Sequence, residues 1–374
     1  MSAESYVGFR SPPVHGGDLA AIGRRYGVAP NSLLDFSANL NPLGPPATLL
    51  RALQAAANDI TELARYPEPD ARSLRLRLGV FLNVEPEAIV VANGAAALLA
   101  IALATLGARR CVVPSPAFSE DRHAVEAVGA RYCGVALDAR RDFILAPESL
   151  LTAVQANAAD VCLLTNPHNP TGGLVSREAM LRLIMDVRRL GAATIVDEAF
   201  VDYARASSIT SEAAVTPRLI AVRSLTKFFA VPALRVGYAV AAPDLARRMR
   251  DRLPSWPVTT LAMRALEAAL GDVAYATRTL AENAQARQAL SADLMALGVH
   301  VAPSAANFLF LTLPSGAASA THFVRRLVLD ARIVVRDCSS YEGLTDSRHI
   351  RVAVRSQSEN ARLVRALFNA LAAT

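Results

Sequence analysis

Between residues 88 and 240, short and continuously apolar runs alternate with helix-compatible stretches, and this alternation restricts the possible folds more than any other feature of the chain. The runs are 88–92, 110–114, 131–136, 161–165, 193–196, 219–223 and 236–241. Strands buried on both faces read as unbroken apolar runs, and strands separated by helices pair in parallel. The pattern therefore predicts an α/β domain whose mostly parallel sheet is covered on both sides. After Trp256-Pro257 the character changes to an alanine- and arginine-rich helical region reaching about residue 296. Strand-like segments follow at 299–302, 308–313, 333–336 and 349–353, then a final helix, which predicts a smaller α+β C-terminal domain. The first forty or so residues, with His15-Gly16-Gly17 and the turn-rich run 39–46, cannot build a core of their own. The expected division is an N-terminal segment 1–45 spanning the domains, a large domain 46–260 and a small domain 261–374. At 374 residues and 52% hydrophobic content, the chain has enough apolar mass for both cores.

Charge and cysteine usage exclude several functions. The formal net charge is +6, but the arginines are scattered, with the densest groups on helical stretches such as 245–252 and no interleaved aromatic platform. Solvated helix faces explain them better than a nucleic-acid surface does, so no nucleic-acid partner is expected. Cys111, Cys133, Cys162 and Cys338 form no CxxC pair, and the six histidines show no ligand spacing. Neither a disulfide framework nor a metal site is expected, and a reducing, cytoplasmic setting is. No charged and then apolar leader opens the chain, and the apolar stretch 89–106 is broken by Asn93-Gly94. It is expected to be a strand, a turn and a buried helix, with no membrane partner.

Four motifs stand at the ends of apolar runs. Ser224-Leu225-Thr226-Lys227, with Arg235 eight residues beyond the lysine, offers an amine able to form an imine with an aldehyde, beside a hydroxyl and a guanidinium suited to a phosphate. A lone lysine after a strand is usually a solvated loop charge; the set is stronger than its members. Asp197-Glu198 follows the run 193–196, where an acid faces the ligand crevice of an open α/β sheet and can hold a pyridine nitrogen protonated. Without partner motifs it would read as a helix cap. Asn166-Pro167-His168-Asn169-Pro170-Thr171-Gly172 is a rigid turn carrying an amide that can donate to a phenolate oxygen without titrating. Asn93-Gly94-Ala95-Ala96 joins a strand to a helix whose free amides can bind an anion, although a structural turn would look the same.

In their order and spacing these motifs resemble the fold-type I pyridoxal 5′-phosphate enzymes, the aspartate aminotransferase superfamily, over nearly the whole chain. The resemblance implies pyridoxal 5′-phosphate as cofactor, Lys227 as its Schiff-base lysine, Asp197 as partner of the pyridine nitrogen and Asn169 as donor to the 3′ oxygen. It also implies that Phe118 stacks on the ring, and that Gly94, Ala95, Ser224 and Arg235 hold the phosphate. Tyr66, in Arg65-Tyr66-Pro67-Glu68-Pro69, aligns with a tyrosine that reaches the neighbouring subunit's phosphate, implying a homodimer with shared active sites. Arg351 aligns with the arginine that binds a substrate carboxylate, for which a bidentate guanidinium is the natural partner.

Two branches handling phosphorylated amines are most similar: threonine-phosphate decarboxylases of cobalamin synthesis and histidinol-phosphate aminotransferases. The runs 15–17, 34–45 and 226–232, and Phe200 where many aminotransferases carry tyrosine, resemble the decarboxylase branch. Asp18 stands where that branch commonly has asparagine, and Ala96 where relatives often carry a hydroxyl or an acid. The expected substrate is a small phosphorylated amino acid, L-threonine O-3-phosphate, held by His15, Asn41, Arg336 and Arg351. A histidinol-phosphate or related aminotransferase is the alternative.

Overall fold

The computed structural model describes residues 16–344 and 346–372. Its strands are β1 (Leu34–Asp35), β2 (Ile89–Ala92), β3 (Arg110–Ser115), β4 (Arg131–Ala136), β5 (Val161–Thr165), β6 (Ala193–Asp197), β7 (Leu219–Ser224), β8 (Gly237–Ala241), β9 (His300–Val301), β10 (Phe308–Thr312), β11 (Ile333–Val334), β12 (Arg336–Asp337) and β13 (His349–Ala353). Seven of them form one sheet in the order β2-β8-β7-β6-β5-β3-β4. Within it β8 runs antiparallel to both neighbours, and the remaining pairs are parallel.

Both faces of this sheet are covered, which is why its strands read as unbroken apolar runs. On one face Cys162, Leu164, Val196 and Ala221 meet the helices Arg72–Leu82, Pro147–Ala156, Arg177–Arg189 and Thr260–Ala269. On the other, Val161, Leu163, Ile195 and Val222 meet Ala95–Leu106, Ser119–Ala127 and Pro243–Arg250. The alternation within each strand is the period-two geometry of a pleated strand between two layers.

A second core lies over an antiparallel sheet of order β12-β13-β10-β9. Phe323 and Leu327, Leu363 and Leu367, and Leu290 and Leu294 pack there from the helices Ala320–Ala331, Gln357–Ala372 and Val273–Ala296. The long helix Val273–Ala296 serves both bodies, because Tyr275, Ala276 and Leu280 pack against the first core. The preceding helix, Thr260–Ala269, buries Ala262, Ala265 and Leu266 there as well. On this packing we propose that the domain division falls within the long helix, later than the expected 260/261 boundary.

Two local departures from the expected strands have clear causes. The segment 333–336 is split, with β11 pairing β1 in parallel while β12 pairs β13 in the other sheet. The strand β1 is too short to carry a periodic signal. Of the N-terminal segment, Ile22 and Leu33 pack with Val328 and Val334. The chain then crosses to the lysine loop, where the Asn41 backbone N–H donates to the Lys227 carbonyl at 3.3 Å.

The Asn41 side chain completes that crossing. Its Nδ2 lies 3.0 Å from the Phe228 carbonyl and 2.9 Å from both the Tyr275 and Thr279 hydroxyls, while its Oδ1 accepts from the Leu43 N–H. Asn41 was expected to face substrate; it is a buried clasp with both ends of its amide engaged inside the protein. Asn41→Ala should cost about 1–3 kcal/mol, the range for stranding buried hydrogen-bond partners. Denaturant unfolding monitored by circular dichroism measures this directly.

Candidate active site

Parallel register brings the chemistry to one edge. Thr165 stands beside Asp197 and Asp197 beside Val222, so β5, β6 and β7 all end there. Because β8 is antiparallel, its first residue meets the same edge: Gly237 pairs with Ala92 on one side and Ser224 on the other. Motifs separated by 130 residues in sequence thus converge on one crevice, where open α/β sheets bind ligands.

The turn after β2 is built to admit an anion. Gly94 has φ +88 and precedes the helix Ala95–Leu106, whose first turn has no side-chain cap. A Cβ on Gly94 would lie 2.8 Å from Arg235 Nη2, and one on Gly237 would lie 2.5 Å from Ala95 N. Glycine at both places keeps the guanidinium and the helix amides in contact range of a small group. Ser224 Oγ lies 2.8 Å from Thr226 Oγ1 and caps the single turn Leu225–Phe228 that carries Lys227. Uncapped amides, a guanidinium and hydroxyls are the donor set a phosphate requires, so these residues fit the phosphate of the expected cofactor.

Lys227 sits inside this crevice with little water to solvate an ammonium. Burial, then the positive charges of Arg351 and Arg235, push its amine down to about 8 despite the opposing Asp197. Burial also pushes Asp197 up to about 6, assisted by Glu198 and opposed by the Ala199 N–H, 2.9 Å away, and by Lys227. At neutral pH Asp197 is mostly an anion, while an appreciable fraction of the lysine is neutral and nucleophilic.

Asn169 is oriented from the second sheet. Arg351 Nη1 donates to its Oδ1 at 2.6 Å, which turns the amide Nδ2 away as a donor. The same guanidinium donates through Nη2 to the Ser37 carbonyl at 3.0 Å and lies over the Phe308 ring. The Asn169 turn is itself held by the Asn166 side chain, which bonds the Val175 backbone through both its oxygen and its nitrogen. A Cβ on Gly172 would meet Ser304 Oγ at 2.3 Å, so the turn packs flush against the second body. Burial pushes His168 down to about 4, leaving a neutral imidazole 2.8 Å from the Thr171 hydroxyl.

The remaining expected residues fall in different surroundings. Phe118 is partly buried at the start of the helix Ser119–Ala127, directly after β3. Arg336 is the register partner of Arg351, is buried, and donates to Ser340 Oγ at 3.0 Å. Phe200 packs edge-on against Phe308 with centroids 5.0 Å apart. Tyr66 is 77% exposed and stacks on Trp256 at 4.2 Å. His15 lies outside the described residues. Two features lie outside the sequence motifs. Ser37 contributes through its backbone carbonyl, which no sequence signal marks; Lys227 is the only lysine in the chain, which a simple count reveals.

The sequence profile of the aminotransferase class I and II family matches residues 31–367. The chain is 34% identical to the threonine-phosphate decarboxylase of Salmonella typhimurium, over 96% of each chain. It is 33% identical to a histidinol-phosphate aminotransferase of Sphingopyxis alaskensis, over 100% of this chain and 98% of the other. The structure of the histidinol-phosphate aminotransferase from Sinorhizobium meliloti in complex with pyridoxal-5′-phosphate superimposes over the full length of both chains, with TM-score 0.87 and 23% identity.

Because Lys227 has no competitor among side chains, an aromatic aldehyde fixed with borohydride should attach at one internal position, apart from the terminal amine. Its rate of fixation should rise with a midpoint near pH 8, following the depressed amine, and Lys227→Ala should abolish it. Peptide mass mapping across a pH series reads both outcomes.

Proposed function

The chain belongs to the aminotransferase class I and II family of pyridoxal 5′-phosphate enzymes, and from that membership we propose that it is a threonine-phosphate decarboxylase of cobalamin biosynthesis. The reaction converts L-threonine O-3-phosphate to CO2 and (R)-1-amino-2-propanol O-2-phosphate, with a proton taking the place of the departing carboxylate at Cα.

The observation that carries this proposal is the arginine pair on β12 and β13. Arg336 and Arg351 are opposite one another in an antiparallel ladder, both buried, and both project from the same face of the sheet. Two guanidiniums so placed suit a substrate with two anionic groups, a phosphate and a carboxylate, better than one with a phosphate alone. The relative from Salmonella typhimurium supports the same assignment.

Pyridoxal phosphate, when bound, supplies an electron sink for the bond broken at Cα; the protein selects which bond that is. Lys227 would hold the cofactor and move a proton at Cα, being the one amine near it with a pKa close to neutral. Asp197 would hold a proton at the pyridine nitrogen, and Asn169 Nδ2 would donate to the 3′ oxygen. Phe200 has no hydroxyl to offer there, which leaves Asn169 as the side-chain donor. Phe118 would cover the ring, and Gly94, Ala95, Ser224 and Arg235 would take the phosphate. Arg336 and Arg351 would fix the substrate so that its carboxylate bond is the one aligned for cleavage.

We also propose that the enzyme is a homodimer in which Tyr66 reaches the partner's cofactor phosphate. Its exposure is otherwise unexplained, and Ile60, Leu63 and Val80 are exposed on the same stretch of chain, where a second copy would cover them. Among the described residues no helix is long and apolar enough to cross a membrane.

With threonine phosphate the holoenzyme should release CO2 and phosphorylated aminopropanol in equal amounts. Amino transfer dependent on a keto acid, without CO2, would replace the decarboxylase by an aminotransferase. Arg336→Ala should lower kcat/KM for CO2 release by about 100-fold, near 3 kcal/mol of transition-state binding. Mixing Tyr66→Ala with Lys227→Ala chains should restore activity above either variant alone, since one site of the mixed dimer has both residues intact.

A further inference from the structure

Asp121 is a buried acid that the chemistry above does not use. It lies in the first turn of the helix Ser119–Ala127, one turn beyond Phe118, and is 0% exposed. Neither carboxyl oxygen has a hydrogen-bond partner among the described residues. The Phe118 backbone amide leans towards it and favours the anion, and among the described residues no cation does. Its titratable neighbours are all acids: Glu120 on its own helix, Cys111 on β3, Tyr132 on β4 and Asp197 at the end of β6. The adjacent Arg122 gives no help, because its guanidinium is engaged by Glu342 and lies over the Tyr132 ring.

A carboxyl that is fully buried, with one backbone amide leaning towards it and no cation beside it among the described residues, keeps its proton. Two carboxyls that share one buried space also oppose each other's ionisation. We infer that Asp121 is a second acid of the cofactor's nitrogen site: it stays protonated, so that the pair it forms with Asp197 carries one negative charge, matched to a single pyridinium. Asp121 is a positioning residue, acting through Asp197, and the inference rests on the placement of Asp197 at the pyridine nitrogen.

Burial pushes the Asp121 carboxyl well above the ordinary aspartate range, and the Asp197 charge adds to the shift. The sign of the linkage follows. An acid whose folded pKa is raised contributes stability below its unfolded value, and loses it as pH rises towards the folded value. In Asp121→Asn the side-chain amide is neutral at every pH and escapes that loss.

The test pairs the cofactor-free protein with the holoenzyme. In cofactor-free protein the melting temperature of Asp121→Asn, relative to the parent, should climb steadily as pH rises from about 4 towards 8. A difference that stays flat over this range would show that Asp121 is not held protonated and would overturn the inference. In holoenzyme the nitrogen-15 shift of labelled cofactor reports protonation of the ring nitrogen directly. With Asp121→Asn it should match the parent at pH 7 but lack the parent's alkaline inflection, where the second carboxyl ionises beside Asp197. An unchanged inflection in Asp121→Asn would also overturn it. Asp197→Asn combined with Asp121→Asn separates the two readings: a ring nitrogen still protonated in that double variant would remove the Asp197 assignment. The amide is nearly isosteric with the acid, so the variant should fold.

Discussion

Exclusion of water from the carboxyl edge of the large sheet is the condition on which the candidate site depends. In bulk solvent Lys227 would be an ammonium and Asp197 an unremarkable carboxylate. Burial moves the first down to about 8 and the second up to about 6, so the two groups approach each other across neutral pH. The same desolvation keeps His168 neutral beside the Asn169 turn. Direct charge effects then refine what burial begins: Arg351 and Arg235 lower the lysine further, and Asp197 resists them. Removing either arginine should therefore matter to the lysine even where it touches no substrate.

Arg351 shows how few contacts hold the arrangement together. It projects from β13 in the second body, yet its two terminal nitrogens reach Asn169 in the large domain and Ser37 in the N-terminal segment. One guanidinium thus joins three parts of the chain and sets the direction of the Asn169 amide. If it also holds substrate, any movement of the second body relative to the sheet would be felt at the Asn169 amide. Asn41 is a similar tie on the lysine side, linking the N-terminal segment to the Lys227 loop and the long helix.

The large sheet was legible in the sequence because its strands are buried on both faces and separated by helices. The bounds of β4, β5 and β13 were readable to the residue, and β6 and β7 extend one position further, to Asp197 and Ser224, because the polar residue that ends each run still pairs in the ladder. Short pieces were harder to read: β1 has two residues, in which a period of two cannot be seen, and nothing in 333–336 signalled its split between β11 and β12. Long-range partners were equally hidden. Nothing in the sequence around Asn41 distinguishes a clasp from a ligand, since the three acceptors of its amide come from residues 228, 275 and 279. Asp121 belongs to none of the four motifs, and its complete burial is what sets it apart.

The residues at the edge of the large sheet and those proposed to select the reaction are different groups, held by different constraints. Lys227, Asp197 and the Gly94 cradle are fixed by backbone register, because parallel strands must end where they do and Gly237 must pair with both Ala92 and Ser224. The residues proposed to orient substrate come from elements outside that sheet: the arginines of β12 and β13, which the register of the second sheet sets opposite each other, the N-terminal segment, and the helix that begins after Phe118. One fold can carry different reactions, and the chain is similar both to a threonine-phosphate decarboxylase and to a histidinol-phosphate aminotransferase. If Arg336 and Arg351 hold the substrate as proposed, the angle at which they present it to Lys227 would decide between the two reactions, because orientation selects the bond that breaks.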